Sequence, residues 1–168
     1  MNTTTALIAG GLTALIALSP MAMAQAATAS PELTKQLVYL VQEEKLARDV
    51  YTTLYAKTGL RQFTNIAGAE QTHMSQVQGL LATYGIADPT IGLPVGSFKD
   101  ASLTALYKQL VASGSASSTA ALAAGVAVEK KDIADITTMM KLNPAADISA
   151  VLVNLRNGSQ RHLAAFTR

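Results

Sequence analysis

The stretch that decides the fold is "FTNIAGAEQTHMSQV", residues 63–77. Its apolar residues recur at intervals of three and four, which predicts an amphipathic helix. Glu70 and His73 lie three residues apart on its apolar side, so their side chains differ by about 60° in direction and about 4.5 Å in height. Such a pair is either a satisfied polar pair at a helix surface or two ligands of one metal ion.

The composition of the 168-residue chain favours helices. Hydrophobic residues make up 49% of it, mainly alanine, leucine and valine, and tryptophan is absent. These residues suit close helix packing better than a sheet built from aromatic and β-branched side chains. The length is that of one domain with a continuous core, so we expect a single all-α domain.

Charge and cysteine content exclude several classes of function. The net charge of +2 is small and the basic residues are scattered, so nucleic acid is not an expected partner. The chain has no cysteine, which excludes disulfides, thiolate metal sites and iron–sulfur ligands of its own. A metal would therefore be held by oxygen and nitrogen atoms.

The first 24 residues resemble a secretory signal peptide. They carry an apolar run over residues 6–18, a break at Pro20 and a small-residue triplet that ends at Ala24, although the usual basic N-terminal residue is missing. The run is shorter than the roughly 20 apolar residues of a membrane span, so no span is expected after cleavage. We predict cleavage near Ala24 and a periplasmic or secreted protein, with a retained N-terminal anchor as the alternative.

Periodicity and capping residues predict four long helices in the domain, residues 32–168. Ser30 and Pro31 mark the start of the first helix and Gly59 its end. The other long helices are expected at about 62–84, at 117–141 and from Pro144 to the C terminus, with a short helix near 101–112. An Ala/Ser-rich run at 113–124 reads as a linker, and Asn157-Gly158 predicts a kink or a break.

The connectivity predicts a ferritin-like four-helix bundle with one long crossover. A Gly- and Pro-rich connection, "GIADPTIGLPVGSFKD", separates the second long helix from the third. Two helices, a long crossover and two further helices are the order found in ferritin-like bundles.

Each long helix places a metal-competent side chain at an inward or near-inward position. Carboxylates and imidazoles together suit iron or manganese. In chain order these candidate metal ligands are Glu44, Glu70, His73, Glu129, Asp132 and His162.

A surface interpretation remains open from the residues alone. Burying several carboxylates without a cation is costly, so each acid would need its own partner or water. The alternative pairs Glu44 with Arg48 and Glu129 with Lys130 or Lys131, and leaves Asp132, Asp135 and Glu43 solvated.

Four segments carry a family resemblance: "EEKLARDVY", "FTNIAGAEQTHM", "GVAVEKKDIADI" and "GSQRHLAAF". Over about residues 37–166 the chain resembles the DUF2202 family, uncharacterised prokaryotic proteins placed in the ferritin-like superfamily. It is more distantly similar to rubrerythrin, whose first helix carries a glutamate followed by Ala-Arg and a tyrosine. That likeness selects Glu44 over Glu43, matches Glu70 and His73 to an ExxH pair, and matches Glu129 and Asp132 to two glutamates three residues apart.

The resemblance fails at one point. Ferritin-like di-iron proteins commonly have a second ExxH in their last long helix, whereas this chain has Ser159 three residues before His162. The likeness therefore implies either that Asp132 is the sixth ligand or that the second metal position is weak, mononuclear or empty.

Together these observations predict a cell-envelope protein that binds iron or manganese, as one ion or two, and reacts with peroxide or dioxygen. An external electron donor would be needed, because the chain lacks the cysteines of a fused rubredoxin-type donor. A homodimer is compatible with this prediction. The alternative is a non-catalytic helical bundle that binds a metal or a protein partner.

Overall fold

The computed structural model describes residues 28–168, so the predicted signal peptide, residues 1–24, lies outside the described residues. Within the described range the chain contains helices and no strand, which confirms the all-α prediction. No helix in this range is long and apolar enough to cross a membrane. The five helices are α1 (Pro31–Thr58), α2 (Arg61–Thr83), α3 (Ala101–Gly114), α4 (Ser118–Met140) and α5 (Ala146–Phe166).

Local capping explains where α1 begins and ends. The Ser30 side chain accepts a hydrogen bond from the Leu33 amide at 3.2 Å, and Pro31 occupies the first turn, where its missing N–H costs nothing. Gly59 ends the helix with a φ of 68°, a left-handed conformation that glycine adopts without a Cβ penalty. The predicted start and end of this helix are confirmed.

The connection between α2 and α3 is irregular, as predicted, and α1 fixes it in place. The Gln42 side-chain oxygen accepts hydrogen bonds from the backbone amides of Lys99, at 2.9 Å, and Asp100, at 3.0 Å. Asp49 accepts from the Gly96 amide at 2.9 Å. Because α1 side chains satisfy these loop amides, the connection needs no regular secondary structure of its own.

Two predictions about irregular segments differ from the structure. The expected linker at 113–124 is limited to residues 115–117, because Gly114 packs closely on Leu54 and Ser117 caps α4, which begins at Ser118, close to the predicted start near 117. The expected break at Asn157-Gly158 is also wrong, since α5 runs through both residues. The contact that explains Gly158 belongs to the candidate site.

The four long helices contact one another in a closed cycle, α1 with α2, α2 with α5, α5 with α4 and α4 with α1, while α3 packs against α1 and α4. Two apolar clusters fill the interior. One includes Leu40, Leu81 and Ile136, and the other includes Tyr51, Phe63 and Phe166. Along every long helix a short polar segment separates the two clusters, so the fold holds a polar layer between two apolar ones.

Candidate metal centre

The polar layer brings together all six predicted ligands. Each of the four long helices contributes at least one of them, at the point where its residues change from one apolar cluster to the other. All six are buried except His162, which is partly buried. They are Glu44 from α1, Glu70 and His73 from α2, Glu129 and Asp132 from α4, and His162 from α5.

The Glu70 carboxylate lies at the centre of the layer, between two histidines. Its Oε2 atom is 2.8 Å from Nδ1 of His73, and its Oε1 atom is 2.8 Å from Nδ1 of His162. The two imidazole rings have centroids 5.5 Å apart. These three residues can direct one ligand atom each to a common point, with the three atoms within 4.8 Å of one another.

A second carboxylate flanks each histidine. Glu44 Oε2 lies 3.5 Å from Nδ1 of His73, and Glu129 Oε1 lies 3.6 Å from Nδ1 of His162. Two ligand atoms at right angles on a metal with bonds of about 2.1 Å are about 3.0 Å apart. The observed separations of 2.8–3.6 Å therefore suit ligand atoms around a shared ion.

Asp132 contacts Ser159, the residue three positions before His162. Ser159 Oγ donates a hydrogen bond to Asp132 Oδ2 at 2.5 Å and also contacts the Leu155 carbonyl at 3.0 Å. Both Ser159 and Asp132 are buried. A serine at this position thus orients a carboxylate from α4 where α5 itself offers none.

Gly158 makes room for His73. A Cβ atom at residue 158 would lie 2.4 Å from Cε1 and 2.5 Å from Nε2 of the His73 ring, closer than any real contact. The imidazole therefore packs directly on the α5 backbone, with Nε2 against Gly158 and Nδ1 toward Glu70. Gly158, which was expected to mark a kink or a break, is a positioning residue inside a continuous helix.

Several polar atoms of the layer lack a hydrogen bond. Within residues 28–168, both Glu44 oxygens, Glu70 Oε1, Asp132 Oδ1 and His162 Nδ1 are buried and have no hydrogen-bond partner. The contact of Glu70 with His162 is short, but it is not aligned as a hydrogen bond. Buried polar atoms are almost always paired, so this group of unpaired oxygen and nitrogen atoms fits a bound cation.

Burial raises the pKa of three of the carboxyl groups. It raises that of Asp132 to about 7 and that of Glu129 to about 8, with the Glu70 charge acting in the same direction. Burial and the charges of Asp132 and Glu70 also put the pKa of Glu44 well above its ordinary value. In the absence of a metal these groups resist ionisation, and a divalent cation would provide the missing compensation.

Glu70 and His162, in contrast, each favour the charged form. Burial alone would raise the pKa of Glu70, but the facing nitrogens of His162 and His73 hold it at about 2. Burial likewise disfavours the charged form of His162, yet Glu129 and Glu70 raise its pKa to about 9. Glu70 is therefore an ionised carboxylate, available to a metal, over the whole neutral range.

The surface interpretation of these acids is wrong. Arg48 donates to Asp49 and Gln71 rather than to Glu44, and Glu129 contacts Tyr51 and His162 rather than a lysine. Asp132 is 8% exposed and does not face water. Packing of α1 against α2 and α4 buries these side chains, which spacing along one helix does not reveal.

One acid that was expected to be solvated is buried, and a second reaches solvent as expected. Glu43 was expected to be solvated, but it is only 5% exposed and pairs with Lys131. Asp135 is partly exposed and binds the same lysine at 2.5 Å. Glu43 is buried because α4 packs against this side of α1.

The buried side chains that contact the layer or lie beside it were not predicted from the sequence. Tyr51 donates a hydrogen bond to Glu129 at 2.6 Å, and its ring lies 5.2 Å from that of Phe166 and 5.8 Å from that of Phe63. Beside the layer, Lys45 and Asp49 form a fully buried pair at 2.5 Å. Their i,i+4 spacing was the available signal, but that spacing is equally common on helix surfaces.

Fold and site define a class of protein: an all-helical domain with a buried carboxylate and histidine layer between its long helices. The chain belongs to the DUF2202 family, described as "Uncharacterized protein domain (DUF2202)", whose profile matches residues 33–168. This match confirms the resemblance to the DUF2202 family.

Comparison with known proteins adds fold information and no activity. The chain is 44% identical over 139 residues to "Uncharacterized protein MJ0754" of Methanocaldococcus jannaschii, covering 83% of this chain and 75% of the relative. The crystal structure of hypothetical protein MJ0754 from Methanococcus jannaschii is similar, with a TM-score of 0.82 and 41% identity. That match covers 86% of this chain and 83% of the other.

Proposed function

We propose that this protein binds iron or manganese in the polar layer. The observation that carries the proposal is the Glu70 carboxylate, whose two oxygens each lie 2.8 Å from a histidine Nδ1. Oxygen and nitrogen ligands without thiolates suit these two metals, and the unpaired buried carboxyl oxygens of the layer supply vacant lone pairs. The six ligands in this proposal are Glu44, Glu70, His73, Glu129, Asp132 and His162.

The arrangement favours two metal positions that share Glu70. Glu44 and His73 lie on one side of Glu70, and Glu129 and His162 lie on the other, so each side has a histidine and a further carboxylate. Four carboxylates and two histidines are the usual ligand set of a two-metal helical bundle. On this basis we also propose that the closed cycle of long helices is a ferritin-like bundle.

We propose peroxide or dioxygen as the reactant, because a bound iron or manganese ion supplies redox chemistry toward both. The chain's own residues hold the ligands and limit water. Tyr51 donates to Glu129 and fixes its carboxylate, and Ser159 does the same for Asp132. The apolar clusters on either side keep the layer in a low-dielectric environment, where interactions with a cation are strengthened.

The location and the electron source are parts of the same proposal. The apolar N-terminal stretch with its small-residue triplet supports export of a mature domain, residues 32–168, to the periplasm or the exterior. A chain without cysteine would take electrons from an external donor during turnover.

A non-catalytic binding protein is the second candidate. The connection between α2 and α3 exposes two large apolar side chains, Ile91 at 77% and Val95 at 55%. Loops carry recognition more often than regular elements do, so this connection is where the alternative places partner binding. In this alternative the metal stabilises the domain and the loop binds a partner.

Metal analysis tests the metal binding on which both candidates rest. The purified protein is loaded with Fe²⁺ or Mn²⁺ without oxygen, desalted and measured for metal per chain; two ions are expected for the wild type. His73→Ala should lose at least one ion, whereas Glu32→Gln, an exposed acid on α1, should lose none. Absence of bound metal in the wild type would remove the metal proposal.

Reactivity is then tested by stopped-flow absorbance. Peroxide or air-saturated buffer is mixed with the Fe²⁺ protein, and oxidation should be faster than in the His73→Ala variant or for free Fe²⁺. A tightly bound metal that reacts no faster than free Fe²⁺ would favour the non-catalytic alternative.

A further inference from the structure

A groove beside α1 and α4 contains oxygen atoms that bind the Lys131 ammonium. It has a volume of about 520 Å³ and is lined mainly by α1 and α4, including Tyr39, Lys131 and Asp135. The Lys131 and Asp135 side chains are 34% and 37% exposed, so both reach solvent. We refer to this feature as the Lys131 groove.

The Lys131 ammonium is held as a cation by three oxygens. It donates to Glu43 Oε1, to Asp135 Oδ2 at 2.5 Å and to the Tyr39 hydroxyl at 3.1 Å. It also lies 4.9 Å from the centre of the Tyr39 ring, within range of a cation–π contact. Two carboxylates and a phenol around one positive charge are ligands that a hard divalent ion can also use.

Glu43 connects this group to the polar layer. It is 5% exposed, and its second oxygen, Oε2, is buried without a hydrogen-bond partner among the described residues. Glu43 precedes Glu44 in α1, and Asp135 follows Asp132 by three residues in α4, an offset of about 60° and about 4.5 Å. Asp135 therefore lines the Lys131 groove, whereas Glu43 does not line it and contacts Lys131 from a buried position next in sequence to Glu44.

We propose that Glu43 and Asp135 form a transit site through which a divalent metal ion passes from the Lys131 groove to the polar layer. Lys131 occupies the transit site between passages. Its flexible four-carbon stem allows the ammonium to swing into the groove, and the incoming ion takes over its carboxylate partners. The built-in ammonium compensates the buried Glu43 carboxylate whenever no metal is passing, which avoids the cost of an unpaired buried charge.

This inference rests on the proposed metal binding and adds a route to it. It requires that changes at the transit site alter the rate of loading, while the final amount of metal stays the same. It also requires that removal of the acid and removal of the lysine act in opposite directions. Asp135→Asn takes away a ligand of the passing ion, and Lys131→Met takes away its competitor.

The test uses Co²⁺ as a coloured divalent probe and follows its visible absorbance after stopped-flow mixing with the metal-free protein. Asp135→Asn should load about tenfold more slowly, because a carboxylate that concentrates cations at the entrance is lost. Lys131→Met should load several-fold faster. Matched controls are Asp147→Asn, an exposed acid on α5, and Lys130→Met, an exposed neighbour on α4; both should load at the wild-type rate.

The outcomes are distinguishable. Equal Co²⁺ content and affinity at equilibrium, with the opposite rate changes, support the transit site. Wild-type loading rates in both variants would overturn it and leave the Glu43, Lys131 and Asp135 contacts as a structural salt bridge only. General damage to the fold would slow both variants, which also contradicts the proposal. No Co²⁺ uptake by the wild type would overturn the proposed metal binding and the transit site together.

Discussion

Replacement of Gly158 by alanine is the most direct perturbation of the polar layer, because it adds one methyl group beside a predicted ligand. The new Cβ would lie 2.4 Å from His73 Cε1 and 2.5 Å from Nε2. Carbon atoms in contact sit at about 3.5 Å, so the imidazole must retreat by about 1 Å. Metal–ligand distances tolerate only about 0.2 Å, so His73 would lose its coordinating position.

We expect Gly158→Ala to weaken Mn²⁺ binding by about 10- to 100-fold, the usual effect of disturbing a residue that orients a ligand. The metal-free fold should suffer much less. Overpacking costs about 1–3 kcal/mol, and the better helix propensity of alanine offsets about 1 kcal/mol of that. Affinity is measured by calorimetry or by competition with a metal indicator, and stability by urea unfolding of the metal-free protein.

Gly79→Ala is the matched control, because Gly79 is an exposed helical glycine and nothing in the described chain lies within 4 Å of its Cβ position. This variant should bind Mn²⁺ like the wild type and gain up to about 1 kcal/mol of stability. Unchanged Mn²⁺ affinity in Gly158→Ala would refute the role of His73 as a ligand. Equal losses of affinity in both glycine variants would instead indicate a general helix effect.

Three further predictions concern the buried polar groups. The melting temperature of the metal-free protein should fall as the pH rises from 5 to 9. Burial raises the pKa of Asp132 to about 7 and that of Glu129 to about 8. The pKa of His162 is about 9, because its carboxylate neighbours outweigh the effect of burial. A group whose pKa is raised on folding contributes stability below its unfolded-state pKa, and this stability is lost as the pH rises through its folded-state pKa. Saturating Mn²⁺ should flatten the dependence of the melting temperature on pH. A flat dependence in the metal-free protein would contradict these pKa shifts. Ser159→Ala should destabilise the metal-free protein by about 1–3 kcal/mol at pH 8 in urea unfolding, because ionised Asp132 loses its donor, and no loss would show that this hydrogen bond is not needed. Tyr51→Phe removes the donor to Glu129 and should cost a similar amount, with metal content measured in parallel to show whether the Glu129 carboxylate still binds.

The helices were predictable because their signals are local. Ser30, Pro31 and Gly59 act within one turn of their own helix, and apolar spacing depends only on the helical period. The candidate ligands were chosen from the register of each helix and from the family resemblance, so their role in binding a metal stays a prediction. The iron or manganese site and its reaction with peroxide or dioxygen stay predictions.

The errors arose where a residue's role depends on a neighbouring helix. Gly158 is a helix breaker by propensity, yet the His73 ring occupies the space beside it and makes glycine the residue that fits. The Ala/Ser-rich run at 113–124 has little amphipathic contrast, but burial of Gly114 and Ala121 against the rest of the fold favours helix there. Tertiary packing overrode the local preference in both cases.

Sequence alone determined the all-helical class, the ends of α1, and the absence of cysteine, which excludes thiolate metal sites. Only the tertiary structure decided that Glu70 lies between two histidines, that Ser159 orients Asp132, and that Glu43 is buried beside Lys131. The physical reason is that the helical period sets the direction of a side chain along its own helix. The distance between side chains on different helices depends on how those helices pack.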